Sequence, residues 1–597
     1  MIRTPLRPLA RILKARESGG NPDAIERDNI RRRHEEMHDR DRRRAERRLL
    51  VTGAMFFCAF AVIGTRMGVL ASSPPPAPRA SAKGAEILAQ RATITDRRGR
   101  ILASNFDTHS LYAKPRRMIE PRRAARELAK IFPDLDAARL QRSFTGKSSF
   151  AWVRKTISPE QKQAVHDIGE PGLRFGRREM RLYPNGAVAA HVLGGAGFGL
   201  EAVAGAEVLG IAGIESYFDD RLRDPARGHE PLVLSLDLSV QAAAERVLSG
   251  GMRLLNAKGA AAVMMDAHTG EVISLVSLPD FDPNDRPDPP TGEDAKAGES
   301  PLFNRAVQGR YELGSTFKIF AVAQALELGL VTPETMIDTT GPILKDGFRI
   351  RDFKDYGPRL SVEKVIVKSS NLGTARIAAD IGIERQKDFL RQLGFFDATG
   401  LELIEAAGAK PLLPPRWNEL STMTIAYGHG LSASPLHLAA GYAAIANGGR
   451  KVTPTLLRTR APQEGPRIMS EDTARQSWRM LRGVVADPEG TATMGDVSGY
   501  FVAGKTGTAE KIKPGGGYYE DRIIATFASI FPAHDPRYVL VVTLDEPVET
   551  SGSEPRRTAG WTAVPVAREI IRRTAPLLGL RPEIEPPRLA DIRRTSD

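Results

Sequence analysis

The longest apolar stretch of the chain runs from Leu49 to Leu70 and carries one charge, Arg66, close to its end. A helix needs about 20 apolar residues to cross a bilayer, and an arginine near one end can place its charge at the membrane surface. The pattern therefore predicts an uncleaved membrane anchor over residues 49–70. A cleavable signal peptide is the alternative, but the polar segment that precedes this stretch is longer than the charged region of an ordinary signal peptide.

Farther along the chain, the apolar positions predict strands at the two ends of a domain and helices between them. Residues 260–266 and 271–277 flank a short Ala-His-Thr-Gly connection, which is typical of an antiparallel hairpin. The other predicted elements are strands over 232–236, 500–510, 523–531 and 538–544, and helices over 121–132, from Ser239 onwards and over 564–573. This order predicts an α+β fold in which helices pack on the faces of a central antiparallel sheet.

Charge changes this picture mainly at the N-terminus. The 597 residues carry a net charge of +13, and nine arginines lie within residues 31–48, directly before the apolar stretch. Positive segments beside a membrane span stay in the cytoplasm, so residues 1–48 are predicted to be cytoplasmic and the rest of the chain extracytoplasmic. On charge alone the basic segment also suits nucleic acid, but its place beside a membrane favours attraction to lipid, and no nucleic-acid partner is predicted.

The basic segment contains a motif similar to that of zinc proteases, His34-Glu35-x-x-His38, which places two imidazoles on one helix face. A catalytic zinc needs a third protein ligand and a shaped pocket, whereas arginines flank this motif and a predicted membrane span follows it. A solvated polar helix is therefore the favoured interpretation. The single cysteine, Cys58, excludes an internal disulfide and any site built from several cysteines.

Composition divides the chain into six segments. Residues 72–81 are rich in proline and serine, as in a stiff, extended spacer. The predicted segments are a basic cytoplasmic part (1–48), the anchor (49–70), a linker (71–84), a first extracytoplasmic domain (85–228), a second one (229–577) and a C-terminal tail (578–597).

The first candidate for chemistry lies in the helical middle of the second domain. Gly314-Ser315-Thr316-Phe317-Lys318 opens an apolar run, which predicts a helix with Ser315 at its N-terminus and Lys318 one turn later on the same face. A serine nucleophile needs a nearby proton acceptor, and a lysine can accept when burial or another cation keeps it neutral. Ser-x-x-Lys occurs again at Ser361 and Lys364, so this motif alone also fits a surface helix.

Two further motifs favour a catalytic interpretation of the first one. Ser369-Ser370-Asn371 lies in an otherwise apolar segment predicted to be helical, where a hydroxyl and an amide can reach a cleft. Lys505-Thr506-Gly507-Thr508 lies on a predicted strand, and a glycine within a strand often marks a close approach of the backbone to a ligand. In this order, the three motifs match the signature of penicillin-binding proteins and serine β-lactamases.

From the membrane span to about residue 573, the chain resembles a class B penicillin-binding protein. The resemblance implies a transpeptidase domain over 229–577, with the fold shared by serine β-lactamases, preceded by an elongated α+β pedestal, or dimerisation, domain over 85–228. Short motifs of these two domains carry it: Arg91-x-x-Ile94-x-Asp96-Arg97-x-Gly99, Arg181-x-Tyr183-Pro184-x-Gly186, His191-Val-Leu-Gly194, Gly213-Ile-Glu215, Asp266-x-x-Thr269-Gly270-Glu271 and Asn304-Arg305-Ala306.

Within this class, four stretches resemble the cell-division members more than the cell-elongation members. They are Ile350-x-Asp352-Phe353 and residues 368–371, 427–436 and 505–511. Leu313 stands where the family usually has proline, and His429 where many members have glutamine or tyrosine. Since neither is a motif residue, we expect both to bear on the subgroup rather than on the chemistry.

The resemblance implies a peptidoglycan D,D-transpeptidase. Ser315 would attack the carbonyl of the penultimate D-alanine of a stem peptide, Lys318 would take its proton, and the terminal D-alanine would leave from an acyl-enzyme. An amine of a neighbouring stem would then resolve the acyl-enzyme and form the cross-link. Ser369 would relay a proton to the leaving group, and Asn371 would hold the substrate amide.

The strand motif completes the implied site. Lys505 would lower the pKa of Lys318 and, with Thr506 and Thr508, attract the substrate carboxylate. Gly507 would belong to the same substrate-binding strand. The backbone N–H groups of Ser315 and Thr508 would form the oxyanion hole. The resemblance implies no metal and no cofactor.

The implied setting is the bacterial inner membrane, with the catalytic domain in the periplasm. The implied partners are peptidoglycan stem peptides, β-lactam antibiotics as acylating inhibitors, the membrane, and a SEDS-family glycosyltransferase with other division proteins. A cell-elongation transpeptidase, a D,D-carboxypeptidase and a serine β-lactamase share the motifs, but the anchor and pedestal disfavour the last two. A division scaffold with little catalysis is the remaining alternative, and intact Ser315, Lys318 and Lys505 disfavour it.

Overall fold

The computed structural model describes residues 7–72, 91–202, 205–227, 230–291, 296–459, 461–513 and 516–583. The chain forms two compact units, which divide between Ala85 and Glu86. Apart from its first two residues, the predicted linker over 71–84 lies outside the described residues. The predicted tail is described only as far as Glu583.

The first unit consists of two helices, α1 (Arg7–Glu17) and α2 (Pro22–Ser72). Helix α2 continues from the basic segment into the apolar stretch without a break, and Glu46–Thr65 within it is long and apolar enough to cross a membrane. Leu49 and Phe57 of this segment are exposed. The backbone of the zinc-protease-like motif is part of this helix, but the side chains of its two histidines lie outside the described residues.

The second unit begins with the pedestal region, whose strand β2 pairs with both β3 and β4. Its core lies between this sheet and α3–α5 and includes Leu111, Leu128 and Phe144. The elements are β1 (Ile94–Thr95), β2 (Ile101–Ala113), α3 (Pro121–Ile131), α4 (Ala137–Thr145), β3 (Ala151–Ile157), α5 (Pro159–Asp167), β4 (Leu173–Leu182), α6 (Ala190–Leu193), β5 (Gly195–Ala202), β6 (Gly205–Ala212), α7 (Gly213–Tyr217) and α8 (Asp219–Leu222). The helix predicted over 121–132 is confirmed as α3.

A buried ion-pair network joins β4 to α7 in the pedestal region. The carboxylate of Glu215 is fully buried and accepts hydrogen bonds from Arg91 Nε at 2.6 Å and Arg181 Nε at 2.7 Å. Tyr183 donates to the same carboxylate at 3.2 Å, and Arg91 also pairs with Asp219 at 2.6 Å. Each buried charge therefore has an opposite charge in direct contact, which a buried ion needs in order to be tolerated.

The pedestal region connects to the second domain through a short parallel pairing of β1 with β7 (Leu232–Val233). The strand predicted over 232–236 is shorter than expected. Its next backbone N–H groups bond to three separate segments: Leu234 to Thr95, Ser235 to Leu456 and Asp237 to Ile273. A segment whose hydrogen bonds diverge in this way cannot extend one regular ladder.

The second domain has the predicted central antiparallel sheet, in the strand order β14-β15-β16-β8-β9. The strands are β8 (Gly259–Asp266), β9 (Val272–Leu278), β14 (Ala503–Ile512), β15 (Tyr518–Phe531) and β16 (Tyr538–Asp545). Helices α9 (Leu238–Leu254) and α17 (Ala563–Thr574) pack on one face. The hairpin, the three C-terminal strands and the closing helix are thus confirmed, except that the first of those strands begins at Ala503 rather than Tyr500 and the second at Tyr518 rather than Ile523.

The helical middle of the second domain contains the remaining elements. Helices α15 and α16 pack on the other face of the sheet, and two small strand pairs, β10 with β13 and β11 with β12, lie beside the helices. The elements are α10 (Lys318–Glu327), β10 (Met336–Asp338), β11 (Ile343–Lys345), β12 (Phe348–Ile350), β13 (Arg359–Ser361), α11 (Val362–Lys368), α12 (Asn371–Ile381), α13 (Ile383–Leu393), α14 (Glu419–Ala426), α15 (Pro435–Ala446) and α16 (Glu471–Ala486).

Candidate active site

Ser315 lies in a short 3₁₀ turn, Gly314–Phe317, and Lys318 is the first residue of α10. The hydroxyl of the fully buried Tyr442, on α15, donates to the Thr316 carbonyl at 2.9 Å and so holds the turn against α15. Ser315 is partly exposed, whereas Thr316 and Lys318 are buried. The predicted helix start is therefore confirmed, but its first turn is tighter than an α-helix.

Strand β14 packs directly against this turn. A Cβ atom added to Gly507 would lie 2.1 Å from the Leu313 carbonyl oxygen, and one added to Gly314, whose φ is +56°, would lie 2.9 Å from the Thr508 carbonyl oxygen. Only glycine fits at either position. The glycine in the strand motif therefore marks a close backbone approach, and the partner it approaches is the serine turn. The same packing places the Thr508 backbone beside the residue that precedes Ser315.

Lys318 connects the serine turn to the second motif. Its side chain is fully buried, and Nζ donates to the Ser369 carbonyl at 2.5 Å and to the Ser369 hydroxyl at 3.0 Å. Among the hydrogen bonds of the described residues, none joins Lys318 to the Ser315 hydroxyl. Such contacts between a nucleophile and its base are often long without substrate and shorten when it binds.

The segment that carries Ser369 differs from the single helix predicted there. Helix α11 ends at Lys368, Ser369 adopts a left-handed conformation with φ 64° and ψ 45°, and α12 begins at Asn371. The Ser370 hydroxyl caps α12 by accepting from the Gly373 N–H at 3.0 Å. A left-handed serine is strained and persists only when its surroundings hold it, as is common at functional sites. The prediction failed because apolar residues flank the break on both sides.

Asp352 fixes this break and was not predicted as a site residue. One carboxylate oxygen accepts from the Asn371 N–H at 2.5 Å and the Leu372 N–H at 3.0 Å, and the other accepts from the Ser370 hydroxyl at 2.7 Å. These are the otherwise unpaired groups at the start of a helix, where a carboxylate is also favoured by the helix dipole. The Ile-x-Asp-Phe motif signalled this residue, but its role depends on a contact about 20 positions away in the chain.

The strand motif places a second buried lysine next to Lys318. Lys505 is fully buried, and its Nζ donates to the Thr506 carbonyl at 3.3 Å. The hydroxyls of Thr506 and Thr491 are hydrogen-bonded at 2.6 Å, and the Thr508 hydroxyl accepts from the Ala559 N–H at 3.1 Å. The motif residues are thus held by the loops before β14 and α17, which the sequence did not indicate.

Burial lowers the pKa of both lysines, and repulsion by Lys505 adds to this effect at Lys318. Burial lowers the pKa of Lys318 well below its usual range, and the positive charge of Lys505 lowers it further, while Asp352 opposes the change. Burial alone lowers the pKa of Lys505 to about 7. A lysine that is neutral near neutral pH can act as a general base.

The second Ser-x-x-Lys has a structural role. The Ser361 hydroxyl caps α11 by accepting from the Lys364 N–H at 3.2 Å. Lys364 forms ion pairs with Asp487 at 2.7 Å and Glu489 at 2.9 Å, which raise its pKa. A charged lysine paired with two carboxylates cannot serve as a base, so the two copies of the motif differ in environment rather than in spacing.

A second cluster borders the serine turn on its other side. Buried Glu312 accepts from the Gly430 N–H at 2.7 Å and the Tyr518 hydroxyl at 3.1 Å, and it lies 3.1 Å from His429 Nδ1. His429 therefore contacts the segment that leads to Ser315. The expectation that His429 bears on the subgroup rather than on the chemistry stays a prediction.

Two family models match this chain. The model of the penicillin-binding protein transpeptidase domain matches residues 260–572, and that of the penicillin-binding protein dimerisation domain matches residues 86–230. The chain belongs to the class B penicillin-binding proteins. In this class B penicillin-binding protein, the three motifs thus lie in the transpeptidase domain and the buried ion-pair network in the dimerisation domain.

Named relatives and a solved structure agree with this membership. The chain is 35% identical over 509 residues to the probable peptidoglycan D,D-transpeptidase FtsI of Caulobacter vibrioides, a match that covers 83% of this chain and 82% of the relative. It is 30% identical to the stage V sporulation protein D of Bacillus subtilis, with 83% and 79% covered. The crystal structure of penicillin-binding protein 3 from Mycobacterium tuberculosis, complexed with aztreonam, superposes with a TM-score of 0.61 at 28% identity, covering 83% of this chain and 97% of that one.

Proposed function

We propose that this class B penicillin-binding protein is a peptidoglycan D,D-transpeptidase of the FtsI type that cross-links stem peptides through an acyl-enzyme on Ser315. The observation that carries the proposal is the pair of fully buried lysines, one of which contacts Ser369 and begins the helix that follows Ser315. A buried cation next to another cation is costly to the fold and useful to a reaction that needs a neutral base.

In the first half-reaction, neutral Lys318 accepts the proton of the Ser315 hydroxyl as Oγ attacks the carbonyl of the penultimate D-alanine. The carbonyl oxygen becomes an oxyanion, which the backbone N–H groups of Ser315 and Thr508 stabilise. The C–N bond to the terminal D-alanine then breaks, and the departing amine takes a proton from Lys318 through the hydroxyl of Ser369. The 3.0 Å hydrogen bond between Lys318 and Ser369 supports this relay.

The strand motif and Asn371 position the substrate. Lys505 in its charged form, with the hydroxyls of Thr506 and Thr508, attracts the terminal carboxylate, and the close packing of Gly507 on the serine turn keeps that strand beside the nucleophile. Asn371 holds the substrate amide. In the second half-reaction, the amine of a neighbouring stem attacks the acyl-enzyme and loses a proton to Lys318. Lys318 passes this proton to Oγ of Ser315 as the acyl C–O bond breaks and the new amide bond remains.

The same proposal includes the topology and the partners. The apolar stretch over residues 49–70, which overlaps the helix segment Glu46–Thr65, anchors the chain in the inner membrane with residues 1–48 in the cytoplasm, and the domains divided near residue 229 lie in the periplasm. The FtsI-type relative supports a septal role, with a SEDS-family glycosyltransferase and other division proteins as partners and β-lactams as acylating inhibitors. The similarity to a sporulation protein keeps other class B roles as the second candidate.

Intact mass spectrometry of the full chain in detergent, after exposure to a penicillin, tests the nucleophile. The parent is expected to gain one penicilloyl group, and Ser315→Ala none. Ser361→Ala, which changes the serine of the second Ser-x-x-Lys, is the matched control and is expected to acylate like the parent. A folded parent that gains no adduct, or an adduct that persists in Ser315→Ala, would refute Ser315 as the nucleophile and favour the scaffold.

A further inference from the structure

A β-hairpin is anchored beside the Ser369–Asn371 side of the site. Strands β11 and β12 pair through a tight turn at Asp346 and Gly347, both with positive φ. The buried Ile350 packs in a small hydrophobic cluster with residues of α12 and α14, and Lys345 pairs with Glu419 on α14 at 2.6 Å. The hairpin is therefore fixed to the helices at its base through Ile350 and next to its turn through Lys345.

The outer face of this hairpin is exposed among the residues that the structure describes. Phe353, directly after the hairpin, is 90% exposed, and Leu344 is 73% exposed. Arg349, which pairs across the strands with Leu344, is exposed, as are Arg351 and Lys354. Among the described residues, no carboxylate lies within ion-pair distance of these three cations. We call Leu344, Arg349, Arg351, Phe353 and Lys354 the hairpin face.

This face is continuous with the active site. Asn371 donates from Nδ2 to the Arg351 carbonyl at 3.0 Å, and the intervening Asp352 accepts from the N–H of Asn371. The Asp352 carboxylate accepts hydrogen bonds from the start of α12, and Lys345 pairs with Glu419. The other charged side chains exposed on this segment are three cations, Arg349, Arg351 and Lys354, and two carboxylates, Asp346 and Asp355. Exposed aromatic and arginine side chains together are typical of an interaction surface.

We propose that the hairpin face binds a second, carboxylate-bearing stem peptide of the intact peptidoglycan strand while the first stem occupies the catalytic cleft. The proposal rests on the proposed function, since it takes the polymer as the substrate. Each uncross-linked stem ends in a carboxylate, which guanidinium groups bind in a bidentate manner. Phe353 offers an apolar surface to the part of the stem peptide that precedes this carboxylate. The site would raise affinity for the polymer through a second attachment and leave the chemistry at Ser315 unchanged.

Equilibrium binding to insoluble peptidoglycan, measured by sedimentation of the full chain in detergent, tests this site. Binding is compared between Ser315→Ala and the same chain with Arg349→Ala, Arg351→Ala and Phe353→Ala added, so that no turnover occurs. We expect about a tenfold weaker binding for the combined variant. Arg246→Ala, an exposed cation on α9 at the opposite face of the sheet, is the matched control and is expected to bind like its parent.

Two further measurements identify the ligand and separate this proposal from the proposed function. Peptidoglycan stripped of its stem peptides by an amidase is expected to bind both chains equally weakly, and added salt to reduce the difference on intact material. With Ser315 restored, the three substitutions are expected to leave the rate of penicillin acylation within twofold of the parent. That rate tests the nucleophile alone.

Equal binding by the combined variant and its parent would overturn the hairpin-face proposal, even if Ser315 acylates normally. The same holds if the difference persists on stripped glycan, or if Arg246→Ala weakens binding as much. A loss of binding to anionic lipid vesicles without a loss on peptidoglycan would also overturn it and assign the face to the membrane.

Discussion

The two domains of the second unit differ in whether their buried charged side chains have ion-pair partners. In the pedestal region, fully buried Glu215 contacts two arginines, and Arg91 shares a second carboxylate, so charges are balanced at contact distance. In the transpeptidase domain, Lys318 and Lys505 are as deeply buried, and no described carboxylate forms an ion pair with either. Their pKa values fall, whereas burial lowers the pKa of Arg91 but its carboxylate partners outweigh burial and raise that pKa.

The difference separates a structural charge from the charge of a proposed catalytic base. A balanced network stabilises one arrangement of chain segments, because each of its buried charges has a partner of opposite charge at contact distance. An unbalanced buried lysine destabilises the fold in its charged form and therefore releases its proton readily. The following substitutions test this contrast, from the largest expected effect to the smallest.

Lys318→Met removes the proposed base. Penicillin acylation of Ser315 is expected to slow by about a thousandfold, within the range for loss of a general base. The rate is followed by the appearance of the penicilloyl adduct. Lys364→Met, in the second Ser-x-x-Lys, is the matched control and is expected to change the rate less than twofold, because Lys364 is paired with carboxylates. Similar rates for the two variants would contradict the contrast.

Glu215→Gln leaves two buried arginines without their shared carboxylate. The free energy of unfolding is expected to fall by about 3–5 kcal/mol, because breaking a buried pair leaves an uncompensated charge. Faster hydrogen exchange of the β4 and β6 amides is the local measurement. Asp224→Asn, which breaks the exposed pair with Arg227, is expected to cost less than about 1 kcal/mol. Unchanged exchange in Glu215→Gln would mean that the network does not hold the pedestal.

Lys505→Met is expected to stabilise the fold in a pH-dependent way. Burial lowers the pKa of Lys505 from 10.5 to about 7. Between these values the unfolded chain binds the proton more strongly than the folded chain, so the parent gains stability as the pH rises from 7 towards 10.5. The advantage of Lys505→Met should therefore be largest at pH 6 and smaller by about 3 kcal/mol at pH 9.

Urea unfolding at pH 6 and pH 9 measures this effect. Lys511→Met, on the same strand, is the matched control, since Lys511 pairs with Asp545 and Glu546 at 2.8 and 2.9 Å. It is expected to lower stability at both pH values. An advantage of Lys505→Met that does not change with pH would show that Lys505 does not titrate in this range.

Asp352→Asn tests the carboxylate that fixes the Ser369 break, with a smaller expected effect. Acylation should slow by about three- to tenfold, because α12 loses part of its cap. Asp352 opposes the lowering of the Lys318 pKa, so its removal should shift the acid limb of the pH–rate profile to lower pH. Asp355→Asn, an exposed neighbour, should leave both unchanged. A slower rate without the shift would limit Asp352 to a structural role.

Many features of the fold follow from local patterns. The hairpin over 260–277, strands β15 and β16 and helix α17 were predictable because alternation and turn residues are local signals. The break at Ser369 was not, since apolar residues surround it and Asp352 holds it from a distant loop. The short β7 is a similar case, because its backbone partners lie in three separate segments.

The sequence by itself determined the three motifs, their order and the long apolar helix, because each depends on residue identity within a few positions. The tertiary structure decided which Ser-x-x-Lys is buried beside a second lysine and which is neutralised by carboxylates. It also decided that Gly507 packs on the serine turn and that Asp352 caps α12. Burial and the distance between charges set the pKa of a lysine, and both arise only when segments far apart in the chain are packed together.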